Sequence, residues 1–99
     1  MNPATASGAP SMHLESLLSE FYPRAAAEQG IEGTVWVTAV IGPDGRVSQI
    51  RVTEDPGHGF ADACRRTLNA SRWSPPIDRG GAAVSQRIRF SCTFEMTGF

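Results

Sequence analysis

The sequence predicts an α+β fold: a three-stranded antiparallel sheet in the order 2-1-3, with helices packed on one face. Three observations predict it. From Ile31 to Ile41, residues Ile31, Val35, Val37, Ala39 and Ile41 share one parity, while Thr34, Trp36 and Thr38 lie on the other. Period two with many β-branched residues is the pattern of a half-buried strand. Next, Gly42-Pro43-Asp44-Gly45 reads as a tight reversal. Proline pre-sets φ for a type I turn, Asp44 suits the following position, and Gly45 can adopt the left-handed conformation that closes a three-residue hairpin loop. Last, Val84, Ile88, Phe90, Cys92, Phe94 and Met96 alternate with Ser85, Arg87, Arg89, Ser91, Thr93 and Glu95, which makes a third strand with one wet face. A helical pattern separates the second and third strands. The third strand therefore runs antiparallel to the first, and a right-handed crossover sets it beside the first, at the sheet edge.

The elements follow in order. Residues 1–10 are small residues, Pro and Gly without periodicity, and read as a linker or leader. Residues 11–21 carry Leu14, Leu17, Leu18 and Phe21 at helical spacing, with Ser11 as a plausible N-cap and His13 as a solvated helix residue. Pro23 disfavours helical geometry at Tyr22 and can open a second short helix running to Gln29, which Gly30 stops. Residues 22–99 form the remaining domain. The second strand covers about Arg46–Glu54, and the parity change between Val47 and Ile50 predicts one bulge near Ser48. Asp55-Pro56-Gly57-His58-Gly59 is a turn cluster, and its histidine is a turn residue rather than part of an anion site. A helix from Phe60 to about Ser71 buries Phe60, Ala63, Cys64, Thr67 and Leu68, and Trp73 covers the core at its end. Asp78-Arg79-Gly80-Gly81 is a loop. Trp36, opposite in parity to the core, is expected under the Ser11–Phe21 helix or at a dimer contact, with a partner site as the weaker alternative.

Composition sets limits. Ninety-nine residues with 40% hydrophobic content make one small domain with a modest core. A net charge of −1 offers no electrostatic case for nucleic acid or an anionic membrane. All nine basic residues are arginine. No apolar run approaches the ~20 residues of a membrane span, and the N-terminus lacks the basic start and apolar stretch of a signal peptide. The chain is expected to be soluble as it stands, or a domain of a longer anchored protein. No Ser/His/Asp or Cys/His arrangement has a supporting motif, so no catalytic residue, metal ligand or cofactor is assigned.

Tyr22-Pro23, Ala26, Gly30-Ile31-Glu32-Gly33, Val35 and Asp44-Gly45-Arg46-Val47 resemble the C-terminal domain of the TonB family. The likeness continues through Phe60, Ala63, Trp73, Pro75, Val84, Phe90 and Phe94, covering roughly Tyr22 to Met96. The resemblance implies a periplasmic domain of an energy transducer anchored in the inner membrane. Its partners would be a proton-driven motor complex, reached through an anchor absent from this chain, and the TonB-box peptide of an outer-membrane transporter, bound by strand addition. The third strand supplies a suitable edge, with free N–H and C=O groups for β-augmentation.

Ser85, Arg87, Arg89, Ser91 and Thr93 on that strand, with Tyr22, are the candidate partner-binding residues. The alternative for the arginines is to deter edge-to-edge aggregation. Cys64 and Cys92 both fall on buried parities facing one layer, so a disulfide is expected, which an oxidising periplasm permits. The alternative is two buried thiols packed as small hydrophobes. Exposed edges are also compatible with a strand-swapped homodimer. Two other functions stay open: a TonB- or TolA-like adaptor in envelope scaffolding or motility, and a small thiol/disulfide redox module, which would need an exposed sulfur.

Overall fold

The computed structural model describes residues 14–96. The leader assigned to residues 1–10, the Ser11 cap and His13 lie outside the described residues. Helix α1 spans Leu14–Glu20, α2 Arg24–Glu28, strand β1 Gly33–Ile41, β2 Val47–Glu54, helix α3 Phe60–Ala70 and strand β3 Gln86–Phe94. The sheet order is β2-β1-β3, and both pairings are antiparallel.

The short helices show local control of the backbone. Pro23 stands just before α2, where its missing N–H costs nothing. The end of α2 is a Schellman motif: Ile31 N–H bonds Ala26 carbonyl at 2.8 Å and Gly30 N–H bonds Ala27 carbonyl at 3.1 Å. Gly30 takes φ +69°, the left-handed geometry that this motif requires. The hairpin turn closes as expected, with Gly45 N–H on Gly42 carbonyl and Gly42 N–H on Arg46 carbonyl, each 2.9 Å.

The core lies between the sheet and α3. Val35, Val37, Ala39 and Ile41 of β1, with Ile88, Phe90, Cys92 and Phe94 of β3, face Phe60, Ala63, Cys64 and Leu68. Phe60 and Phe94 stack with ring centroids 5.2 Å apart, and Tyr22 meets each edge-on at 5.7 Å. Helix α1 lies against α3 and β3, and its Leu14 and Leu18 pack on the core.

Four details differ from the sequence reading. Strand β2 carries two bulges rather than one. Between Thr38/Val40 of β1 the register slips at Gln49, whose φ is +51°, and between Trp36/Val37 it slips at Thr53. The two slips return Val47, Ile50 and Val52 to the core side and leave Ser48, Arg51 and Glu54 on the other. Strand β3 begins at Gln86 and ends at Phe94, so Val84 and Met96 are not part of it. Val84 N–H is taken by Pro76 carbonyl and Met96 N–H by the Glu32 carboxylate, which ends the ladder at both places. Met96 is 41% exposed despite its parity. Ser85 therefore precedes the strand. Trp36 packs under the Arg89 guanidinium, 4.0 Å from its ring centroid, and not under the first helix.

Candidate partner-binding site

Strand β3 is the outer strand of the sheet on the side away from β2. It pairs with β1 without interruption from Gly33↔Phe94 to Ile41↔Gln86. An antiparallel strand directs alternate N–H and C=O groups to each side, so half of those on β3 point outward from the sheet. Unbroken pairing on the inner side keeps that row straight. Strand β2 bounds the other edge, where its two bulges break the row.

Beside the C-terminal half of β3 runs an open groove of about 600 Å³. Its walls are Ser16, Leu18, Ser19 and Tyr22 on one side and Ser91, Thr93, Phe94 and Glu95 on the other. Three of the six partner-binding residues expected from sequence, Tyr22, Ser91 and Thr93, meet there. Arg87 and Arg89 sit further along the strand, exposed on the sheet face opposite the core. Ser85 is exposed in the segment leading in. The walls contributed by Ser16, Leu18, Ser19, Phe94 and Glu95 were not anticipated. Ser16 and Ser19 share a helix side by their spacing, but that β3 lies beside that side is tertiary information.

Tyr22 does more than line the groove. Its hydroxyl donates to Ile31 carbonyl, tying the start of α2 to the start of β1. Burial pushes its phenol above the usual range, and the negative charge of Glu32 adds to the effect. On the open face, Arg89 lies over Trp36 and reaches Glu54 of β2 at 3.7 Å, so its charge is drawn inward across β1. Thr34 and Thr93 hydroxyls meet across the strands at 3.3 Å.

Cys64 and Cys92 form a disulfide, with Cα atoms 5.7 Å apart. Both residues are 0% exposed. A thiolate from outside has no path to either sulfur, and exchange chemistry requires that path.

Comparison with known proteins decides the family. The description "Gram-negative bacterial TonB protein C-terminal" matches residues 19–96. The chain belongs to the TonB C-terminal domain family. Among curated relatives, Protein TonB of Pseudomonas aeruginosa is 35% identical over 69 residues, which are 69% of this chain and 20% of that protein. The chain thus spans about a fifth of the length of that relative. The solution structure of the Pseudomonas aeruginosa TonB C-terminal domain superposes with a TM-score of 0.65 at 33% identity, covering 79% of each chain. The Helicobacter pylori TonB C-terminal domain shares the fold, with a TM-score of 0.51 at 20% identity over 89% of this chain and 81% of its own. In this TonB-type domain the motifs that carry the resemblance are joints of the fold. Tyr22 bonds Ile31, and the Asp44-Gly45 turn bonds Trp73.

Proposed function

We propose that this domain is the periplasmic, partner-binding end of a TonB-type energy transducer. It adds an extended segment of an outer-membrane transporter, the TonB box, as a strand to the outer edge of β3. It then passes on force from a proton-driven inner-membrane motor, through an anchoring segment outside these residues. Its work is binding, with no chemical step. The observation that carries this reading is the uninterrupted nine-residue edge Gln86–Phe94, with a groove along its C-terminal half. Backbone pairing along such an edge supplies affinity, and alternate side chains supply preference. Family membership supports the same role.

The test is a titration of the isotope-labelled domain with TonB-box-like peptides, followed by amide NMR. Shifts and slowed exchange are expected along Ser85–Thr93. Shifts confined to other elements would overturn strand addition.

A further inference from the structure

Resting on the reading that a partner pulls on β3, we infer that the Cys64–Cys92 disulfide is a mechanical staple, which keeps the edge strand in the domain while an added strand draws on it. Force that enters through an added strand meets two joints in series. The outer joint is the new backbone ladder on the free edge of β3. The inner joint is the β1–β3 ladder, from Gly33↔Phe94 to Ile41↔Gln86. Both are backbone ladders, and the outer one draws on the same strand, so hydrogen bonding alone gives the inner joint no advantage. Ile88, Phe90 and Phe94 add buried packing to the inner joint. Noncovalent contacts peeled from one end still yield one after another. The bond between Cys64 of α3 and Cys92 of β3 does not.

Its position matters more than its presence. Loop-closure stabilisation depends on loop length and is indifferent to which elements are joined. Here the joined strand is the one whose straight outer edge is free. The bond also lies where tension would arrive. Phe60 and Phe94 stack at 5.2 Å, and Tyr22, at the chain's entry into the domain, meets both rings at 5.7 Å. Cys64 follows Phe60 by one helical turn, and Cys92 precedes Phe94 by two residues on the same strand face. A pull between the entry side and β3 therefore reaches the stacked rings first and the sulfur bond at the next rung. From there tension passes directly from β3 to α3. It bypasses the intervening segment, whose Trp73 amide seats the hairpin turn at Gly45. Both sulfurs are buried at 0% exposure, so the staple is shielded from thiols while the domain is folded.

The experiment compares three forms of the full chain: the oxidised parent, the parent unfolded, reduced and refolded in reductant, and the pair Cys64→Ala and Cys92→Val, which keeps apolar volume at the site. Hydrogen exchange followed by NMR reads the amides that bond β3 to β1 against those that bond β1 to β2. Comparison within each form cancels the change in overall stability. In the oxidised parent the two sets are expected to exchange within about 3-fold of each other, because β3 opens only with the rest of the sheet. In both forms without the bond, the β3 set is expected to exchange about 10-fold or more faster than the β2 set, as β3 detaches first. A ratio unchanged by loss of the bond, or protection lost alike in all strands, would overturn the staple. A single-molecule pull between the N-terminal end and a TonB-box-like peptide seated on β3 tests the role under force. The peptide is expected to leave the oxidised parent without lengthening of the domain beyond α1. In the other two forms lengthening is expected to precede its release. The same behaviour in all three forms would overturn the mechanical role. No β3 shift with any peptide would overturn strand addition and the route of the pull, and would leave standing only that the bond retains β3.

Discussion

The amide of Trp73 donates to the carbonyl of Gly45 at 2.9 Å, and a β-carbon added to Gly45 would collide with Trp73's own carbonyl oxygen. The hairpin turn is thus seated on the segment after α3, and it tolerates no side chain there. Gly45 also holds φ +80°. Gly45→Ala is expected to cost about 2–5 kcal/mol, adding a left-handed backbone penalty to overpacking against main chain. Gly30 is the control. It shares a positive φ, +69°, but a β-carbon there meets nothing within 4 Å. Gly30→Ala is expected to cost only about 1–2 kcal/mol. Urea unfolding of the two variants separates the steric part from the backbone part.

The Cys64–Cys92 bond closes a loop with a sequence separation of 28. In the chain-entropy account, a loop of this length contributes roughly 3–4 kcal/mol. For a domain this small, 1 kcal/mol moves Tm by roughly 4–8 °C. Paired replacement of both cysteines by Ala is therefore expected to lower Tm by roughly 12–30 °C. Thermal melts of the variant and of the oxidised parent give the difference. Thiol titration of the unfolded, unreduced parent is expected to find no free thiol.

Some of this was legible in the residues and some was not. The Pro43-Asp44-Gly45 turn was legible because its geometry is local. The order 2-1-3 was legible because a helix between strands leaves few topologies. The cysteine pair followed from two parities once the layers were placed. The second bulge at Thr53 was not legible, because a bulge is defined against the partner strand and Thr53 alone satisfies either register. The limits of β3 were missed because distant groups set them: Pro76 carbonyl takes the Val84 N–H, and the Glu32 carboxylate takes that of Met96. The place under the first helix expected for Trp36 failed for a similar reason. Its cover comes from a cation on one neighbouring strand held by an anion on the other. In the site, the edge strand was read correctly, but the α1 wall of the groove needed the packing of α1 on α3.

Tyr22 is the chain's only tyrosine, and the chain has no lysine, so alkaline titration in the folded core isolates one phenol. Its folded pKa is raised, chiefly by burial and further by Glu32. The proton is therefore held more tightly in the folded state than in the unfolded one. The stability tied to it is fully present below the unfolded value of about 10 and is lost as pH rises through the folded value. Unfolding free energy is expected to fall above about pH 10 in the parent and to stay flatter in Tyr22→Phe. At neutral pH, Tyr22→Phe is expected to cost about 0.5–1.5 kcal/mol through the lost bond to Ile31 carbonyl. Denaturant melts across the alkaline range check both statements.

Ser71 links the end of α3 to Trp73. Its hydroxyl donates to Leu68 carbonyl at 2.7 Å and accepts the Trp73 indole N–H at 2.9 Å. Ser71 and Trp73 are both buried, at 1% and 4% exposure, so water cannot replace either bond. Ser71→Ala strands the indole N–H, while the Leu68 carbonyl keeps the backbone N–H of residue 71 at 3.2 Å. The expected cost is about 1–3 kcal/mol, because the unsatisfied buried indole N–H bears its full desolvation penalty. A double-mutant cycle isolates the indole's share. In a Trp73→Phe background no N–H remains to be stranded, so Ser71→Ala is expected to cost about 1–2 kcal/mol less than in the parent. Equal costs in both backgrounds would place the whole effect at the Leu68 carbonyl and remove Ser71 as the partner that seats Trp73 against Phe90 and the hairpin turn.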